Sequence, residues 1–221
     1  MDGLAVSADV SVSEGAGRAV EACVEAFGRL DTLVFSAGAS AGGRVGEQTL
    51  ERWNLVLGTN LTAAFLVCRA ALPALLDSRG AIVTVSSLAG LRVGPASAAY
   101  CASKAGLIML TQSLALDYGP LGVRANCVCP GWVRTAMGDT AMDSLAAERG
   151  GIDREDAYGM ASAHVPLSRA AVPEEVAEAV AWLASPAASY VNGAVLTVDG
   201  GAAVVDAGTL AFGATNERRD R

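Results

Sequence analysis

Thr32-Leu33-Val34-Phe35 is a short apolar run that stops at Ser36-Ala37-Gly38, passes through a glycine-rich loop to Gly46, and becomes a helix near Thr49. A brief apolar run of this kind suits a strand covered on both faces, and the small residues after it release the chain, giving strand, loop and helix. The pattern recurs downstream. Ala81 to Val85 reads as a second buried strand, Ala98 to Tyr118 as a long helix, Val123 to Cys129 as a third strand stopped by Pro130-Gly131, and Ala194 to Val198 as the last. Upstream, Leu4 to Ala8 reads as a short strand ending at Asp9, and Ser11-Val12-Ser13-Glu14 offers a capping box for a helix that Gly28 stops. Pro173-Glu174-Glu175 opens a further helix, with proline in its first turn and carboxylates at the positive end of its dipole. Apolar strands alternating with helices imply parallel pairing and right-handed crossovers, so the fold class is α/β, an open doubly wound parallel sheet. Ligands in such sheets lie beyond the carboxyl ends of the strands. Asp9, Ser36-Ala37-Gly38, Ser86-Ser87 and Pro130-Gly131 all fall at those ends.

A chain of 221 residues, 52% hydrophobic, can bury a full core, and it is expected to form one domain over residues 1–215 with a frayed tail at 216–221. A net charge of -7 and a pI near 4.7 repel nucleic acid and anionic membrane surfaces, which leaves a small-molecule partner. The five cysteines (Cys23, Cys68, Cys101, Cys127, Cys129) show no disulfide spacing and read as reduced core residues. Cys127 and Cys129 share one face of a strand, but His164 is the sole histidine, so no metal site is expected. Met1-Asp2-Gly3 does not start a basic and apolar leader, and Arg69 and Pro73 break the apolar stretch from Leu61 to Leu76. The expectation is a soluble, cytoplasmic protein.

Lys104 is the only lysine beside fifteen arginines, and it follows Tyr100 by four residues in Tyr100-Cys101-Ala102-Ser103-Lys104. On a helix that spacing puts both side chains on one face. A nearby ammonium favours the phenolate, and each pKa unit so gained corresponds to about 1.36 kcal/mol. Ser87, at the end of the preceding strand, could donate to a substrate oxygen while Tyr100 exchanges a proton with it, which is the chemistry of carbonyl and alcohol interconversion.

Ser87-Leu88-Ala89-Gly90 followed by Tyr100-x-x-x-Lys104 resembles the catalytic segment of the short-chain dehydrogenase/reductase family, and the likeness covers nearly the whole chain. The resemblance implies a Rossmann-like fold with Ser87, Tyr100 and Lys104 as catalytic residues and Asn60, in Thr59-Asn60-Leu61, supporting a proton relay to the lysine. It implies NAD or NADP as cofactor. Tyr100 and Lys104 would face the nicotinamide ribose, and Pro130, Gly131, Val133 and Thr135 would hold the carboxamide. Asp9 and Val10 would lie beside the adenine, with Ser36, Ala37 and Gly38 on the adenosine side. Val198-Asp199-Gly200-Gly201 resembles the end of the last strand. Taken singly these residues have plainer readings: Asn60 as a helix cap or kink, Asp9 as a turn residue, Pro130-Gly131 as a breaker.

Two departures from the family pattern stand out. No Gly-x-Gly-x-x-Gly turn precedes the first helix, and Leu4 to Ala8 matches the family's third strand, so the fold is expected to lack its first βαβ unit. An upstream start codon would explain this. The choice between NAD and NADP is then unreadable, and the strand at Thr32 is expected to present an apolar edge. Phe35-Ser36 also replaces the family's usual Asn-Asn. The segment from Ala136 to Ser168 reads as an adaptable substrate lid. The expected function is NAD(P)-dependent interconversion of a small alcohol and ketone, resembling 3-oxoacyl reductases or secondary-alcohol dehydrogenases, in a homodimer or homotetramer. The alternative is a non-catalytic remnant serving as an oligomer partner.

Overall fold

The computed structural model describes residues 3–210. They group into two compact units, one from residues 3–130 and Val172–Val198, the other from Gly131–Ala171 and residues 199–210. The second grouping has an apolar cluster of its own, and the tail expected at 216–221 lies outside the described residues.

The first unit is a four-stranded parallel sheet in the order β1 (Thr32–Phe35), β2 (Ala81–Val85), β3 (Arg124–Pro130), β4 (Val195–Val198). Register runs from Thr32 opposite Ala81, through Val85 opposite Val128, to Pro130 opposite Val198. These strands follow the apolar runs of the sequence to within a residue. Helix α1 (Ser13–Phe27) leads into β1. Between β1 and β2 lie α2 (Leu50–Leu57), a π-helical turn at Gly58–Thr62, and α3 (Ala63–Ser78). Helix α4 (Ala98–Tyr118) joins β2 to β3. One core gathers Cys68, Ala71 and Leu75 of α3, Leu114 and Ala115 of α4, and Ile82 and Ala125 of the sheet. A second gathers Ala16 of α1, Phe35 of β1, Ala63, Ala64 and Val67 of α3, and Leu107 of α4. Phe35 is therefore a core residue, only 3% exposed. Helix α7 (Pro173–Ala184) packs on β2, β3 and β4, and strand alternation leaves Val83 and Val128 to that side. Arg124, at the start of β3, holds the C-terminal carbonyls of α7 by donating to Leu183 (2.9 Å) and Ser185 (3.1 Å). The run Leu50–Ser78 is long and apolar enough to cross a membrane, yet Ala63, Ala64, Val67, Cys68, Ala71 and Leu75 along it are buried in these cores.

The segment Leu4 to Ala8 is not a strand. No neighbour in the sheet offers it a ladder, and Leu4 and Val6 stay exposed. The capping box at Ser11 to Glu14 does not form either. Val12 takes the N-cap position without a side-chain bond, while Asp9 accepts from the Ser11 N–H (2.9 Å) and hydroxyl (2.6 Å) in a local turn.

The second unit contains α5 (Ala136–Arg149) and α6 (Arg154–Ala161), two helices in the stretch read from sequence as an adaptable lid. Met142, Ala157, Tyr158 and Ala170 form its core. Arg154 bonds Asp143 twice (2.6 and 2.7 Å) and Asp139 once (3.3 Å), and the Tyr158 hydroxyl donates to Asp139 at 2.9 Å. The ends of the 131–171 segment are tied together, since Ala171 N–H donates to Trp132 O and Arg134 N–H to Ala171 O, each at 2.9 Å.

Candidate active site

The carboxyl end of β2 delivers Ser86 and Ser87 to the first turns of α4. Ser86 donates through Oγ to the Lys104 carbonyl at 2.8 Å. Ser87 is the N-cap of a 3-10 turn at Leu88–Gly90, accepting from Ala89 N–H at 3.1 Å. Gly90 is required by close approach, because a Cβ there would stand 2.9 Å from both Ile108 Cδ1 and the Lys104 carbonyl group. The turn therefore lies directly on α4, which brings the Ser87 side chain to Tyr100, where it acts to lower the pKa of the phenol.

Lys104 is buried, 4% exposed, and donates from Nζ to Val85 O at 3.0 Å, with Nζ 5.7 Å from the centre of the Tyr100 ring. Burial pushes its pKa down to about 8, with Cys127 and Cys129 on β3 partly offsetting the shift. Both thiols are fully buried in a cluster with Ile108, which lies one helical turn beyond Lys104 on α4. The Cys127 thiol is held down to about 7, first by its hydrogen bond with Cys129; the Cys129 thiol is pushed up by the same bond and by burial. The described residues hold no group of three or more potential metal-ligating side chains.

Tyr100 departs from the sequence expectation. Its pKa is raised, by burial first, and the Ser87 side chain, rather than the lysine charge, acts in the opposite direction. The Lys104 ammonium is engaged by the Val85 carbonyl, 5.7 Å from the centre of the Tyr100 ring. Near neutral pH Tyr100 is a protonated phenol.

Asn60 is fully buried in the π-helical turn. Its Oδ1 accepts from Ala39 N–H at 2.7 Å, and its Nδ2 donates to Ala39 O and to Ser103 Oγ, each at 2.9 Å. Both amide hydrogens are thus committed to partners other than Lys104. Ser103, also fully buried, donates in turn to Tyr100 O at 2.8 Å. The sequence reading missed Ser103, Ala39 and the Val85 carbonyl. Only Ser103 left a signal, as a small hydroxyl residue inside a helix of alanines, where such side chains bond back to an earlier carbonyl.

Ser36, Ala37 and Gly38 are exposed just beyond the carboxyl end of β1. Asp9 is exposed, with its carboxyl held below the usual range chiefly by the Ser11 hydroxyl, and Val10 packs on the core around Phe35. Pro130 ends β3 and is buried. In the second unit, Gly131 packs against Asp199, Val133 bridges to Ala171, and the Thr135 hydroxyl caps α5 by accepting from Gly138 N–H at 3.2 Å.

Comparison with known proteins identifies the family. The family model described as enoyl-(acyl carrier protein) reductase matches residues 1–203. Protein MoaE of Klebsiella aerogenes is 48% identical over 156 residues, which cover 71% of this chain and 60% of that protein. The meso-2,3-butanediol dehydrogenase of Serratia marcescens is 36% identical over 203 residues, 92% of this chain and 76% of the relative. Among solved structures, ligand-free aldohexose dehydrogenase of Thermoplasma acidophilum superposes with a TM-score of 0.87 at 30% identity, covering 91% of this chain and 79% of that one. Actinorhodin polyketide ketoreductase with NADPH gives 0.83 at 36% identity, covering 90% and 77%. With its parallel sheet, its Ser87 and Tyr100 pair and its buried Lys104, the chain belongs to the short-chain dehydrogenase/reductase family of oxidoreductases.

Proposed function

We propose that this protein interconverts a small alcohol and its ketone with NAD or NADP as hydride carrier. The observation that carries the reading is the half-buried Tyr100 phenol, its pKa acted on by Ser87, with the buried Lys104 ammonium beside its ring. The donor chemistry fits a nicotinamide ribose: an ammonium has three N–H donors, and among the described residues those of Lys104 meet one acceptor, Val85 O. The two others suit ribose hydroxyls. When bound, the nicotinamide gives or takes the hydride. Ser87 then polarises the substrate oxygen through its hydroxyl, and Tyr100 delivers the proton to that oxygen in the direction of reduction. The raised pKa keeps Tyr100 protonated and ready to donate, while Ser87 stabilises the phenolate left behind. In oxidation the same groups work in reverse. Val133 and Thr135 are the proposed holders of the carboxamide; Asp9, Val10 and Ser36 to Gly38 are proposed for the adenosine side.

Calorimetry with NADH and NADPH on the purified chain, followed by a screen of secondary alcohols and ketones, tests this reading. Micromolar binding of one cofactor together with turnover is expected, and Tyr100→Phe should lower turnover by roughly 10²–10⁴-fold while leaving cofactor affinity intact. Absence of binding to either cofactor would instead favour a chain that acts only by association. For that association, Phe65 on α3 and Met109 and Leu116 on α4 are apolar side chains exposed by 46%, 61% and 77%. A homodimer or homotetramer that covers them is the proposed assembly, and Leu116→Asp should shift sedimentation toward the monomer.

A further inference from the structure

We propose that Ser103 is a positioning residue that clamps the loop following β1 to the catalytic turn of α4; the role in catalysis rests on the function proposed above. Its hydroxyl has a single hydrogen, which goes to Tyr100 O at 2.8 Å, and its oxygen accepts from Asn60 Nδ2 at 2.9 Å. Asn60 then grips Ala39 at both its N–H (2.7 Å) and its carbonyl (2.9 Å). The chain of bonds runs from Ala39, one residue past Ser36-Ala37-Gly38, through Asn60 and Ser103 to the backbone of Tyr100.

The two side chains at the middle of this chain have no ready substitute for their partners. Asn60 and Ser103 are both fully buried, so water cannot readily replace a lost partner. Removal of the Ser103 hydroxyl leaves one Asn60 N–H without an acceptor in the interior. The amide can recover one only by rotating, and rotation breaks its paired grip on Ala39. The loop lies beyond the carboxyl end of a strand, where ligands bind in this class of sheet, and the tyrosine lies at the reacting oxygen. One hydroxyl therefore couples the position of the loop to the position of the acid, although it touches neither substrate nor cofactor.

The test reads the cofactor-free protein first. In Ser103→Ala, hydrogen exchange at the Ala39 amide should accelerate at least tenfold more than at amides of β3, such as Val128, which report global opening. Equal acceleration at both places, or none at Ala39, would overturn the proposal, because a merely structural role predicts only the shared component. Should Ser103→Ala fail to fold, Ser103→Cys keeps a weak donor and acceptor of similar size and must show the same ordering to a smaller degree. In the wild type's own assay, Ser103→Ala should raise the cofactor KM and lower kcat together, with partial rescue by Ser103→Cys. A wild type that neither binds cofactor nor turns over would defeat the proposed function yet leave the exchange result readable.

Discussion

Lys104 is a buried ammonium with one neutral acceptor, and that alone makes the cofactor-free protein sensitive to pH. The unfolded chain keeps the lysine proton up to its ordinary value of 10.5, the folded chain only to about 8. Between those values the unfolded state binds more protons, so the contribution of Lys104 to stability grows as pH rises, by on the order of 3 kcal/mol over the full window. Thermal unfolding of the wild type and of Lys104→Met, compared at pH 7 and pH 10, isolates this contribution from the other titrating groups. The wild type should gain relative to the variant at pH 10, and parallel midpoints at the two pH values would contradict it. Residue identities were legible in the sequence here, since Tyr100, Lys104 and Ser87 come together as the helical spacing and the strand end imply. The direction of the electrostatics was not. Spacing puts Lys104 on the face of Tyr100, but only the packed structure shows that Nζ donates to a strand carbonyl and that burial governs the phenol.

At the scale of elements, the site depends on how closely the turn after β2 lies on α4. Gly90→Ala puts a methyl group 2.9 Å from a helix carbonyl and a buried isoleucine, and overpacking of this kind costs about 1–3 kcal/mol. Urea unfolding should show that loss, and kcat should fall with it because Ser87 belongs to the displaced turn; an unchanged midpoint would mean the turn is free to move. The strands of the first unit were legible because each is a short apolar run closed by small residues or proline. The helices α5 and α6 were not, since their sequence is mixed. Their pairing relies on long-range contacts, with Arg154 reaching Asp139 and Asp143 and Tyr158 reaching Asp139. The Leu4 to Ala8 run shows the converse. It has the composition of a strand, but a strand exists only with a ladder partner, and here it has none.

For the molecule as a whole, β1 is the sheet's edge among the described residues, and Val34 on it is 45% exposed. In a parallel sheet, where strands are normally covered on both faces, an open apolar edge invites pairing with another chain. Light scattering on Val34→Lys should show less concentration-dependent association than the wild type, with thermal stability little changed. Equal association would place the contact elsewhere. The -7 charge works against such contacts at low ionic strength, so the difference between the two proteins should widen as salt is added.

The tied neck of the 131–171 segment has an evolutionary meaning. The chain leaves the sheet unit at Pro130 and rejoins it at Val172, and Trp132, Arg134 and Ala171 fasten those two points to each other. Everything between them, with its own core around Met142 and Tyr158, can be replaced as a cassette without asking any strand to re-register. Such a construction lets the segment vary in sequence and length while the four-stranded sheet keeps its register.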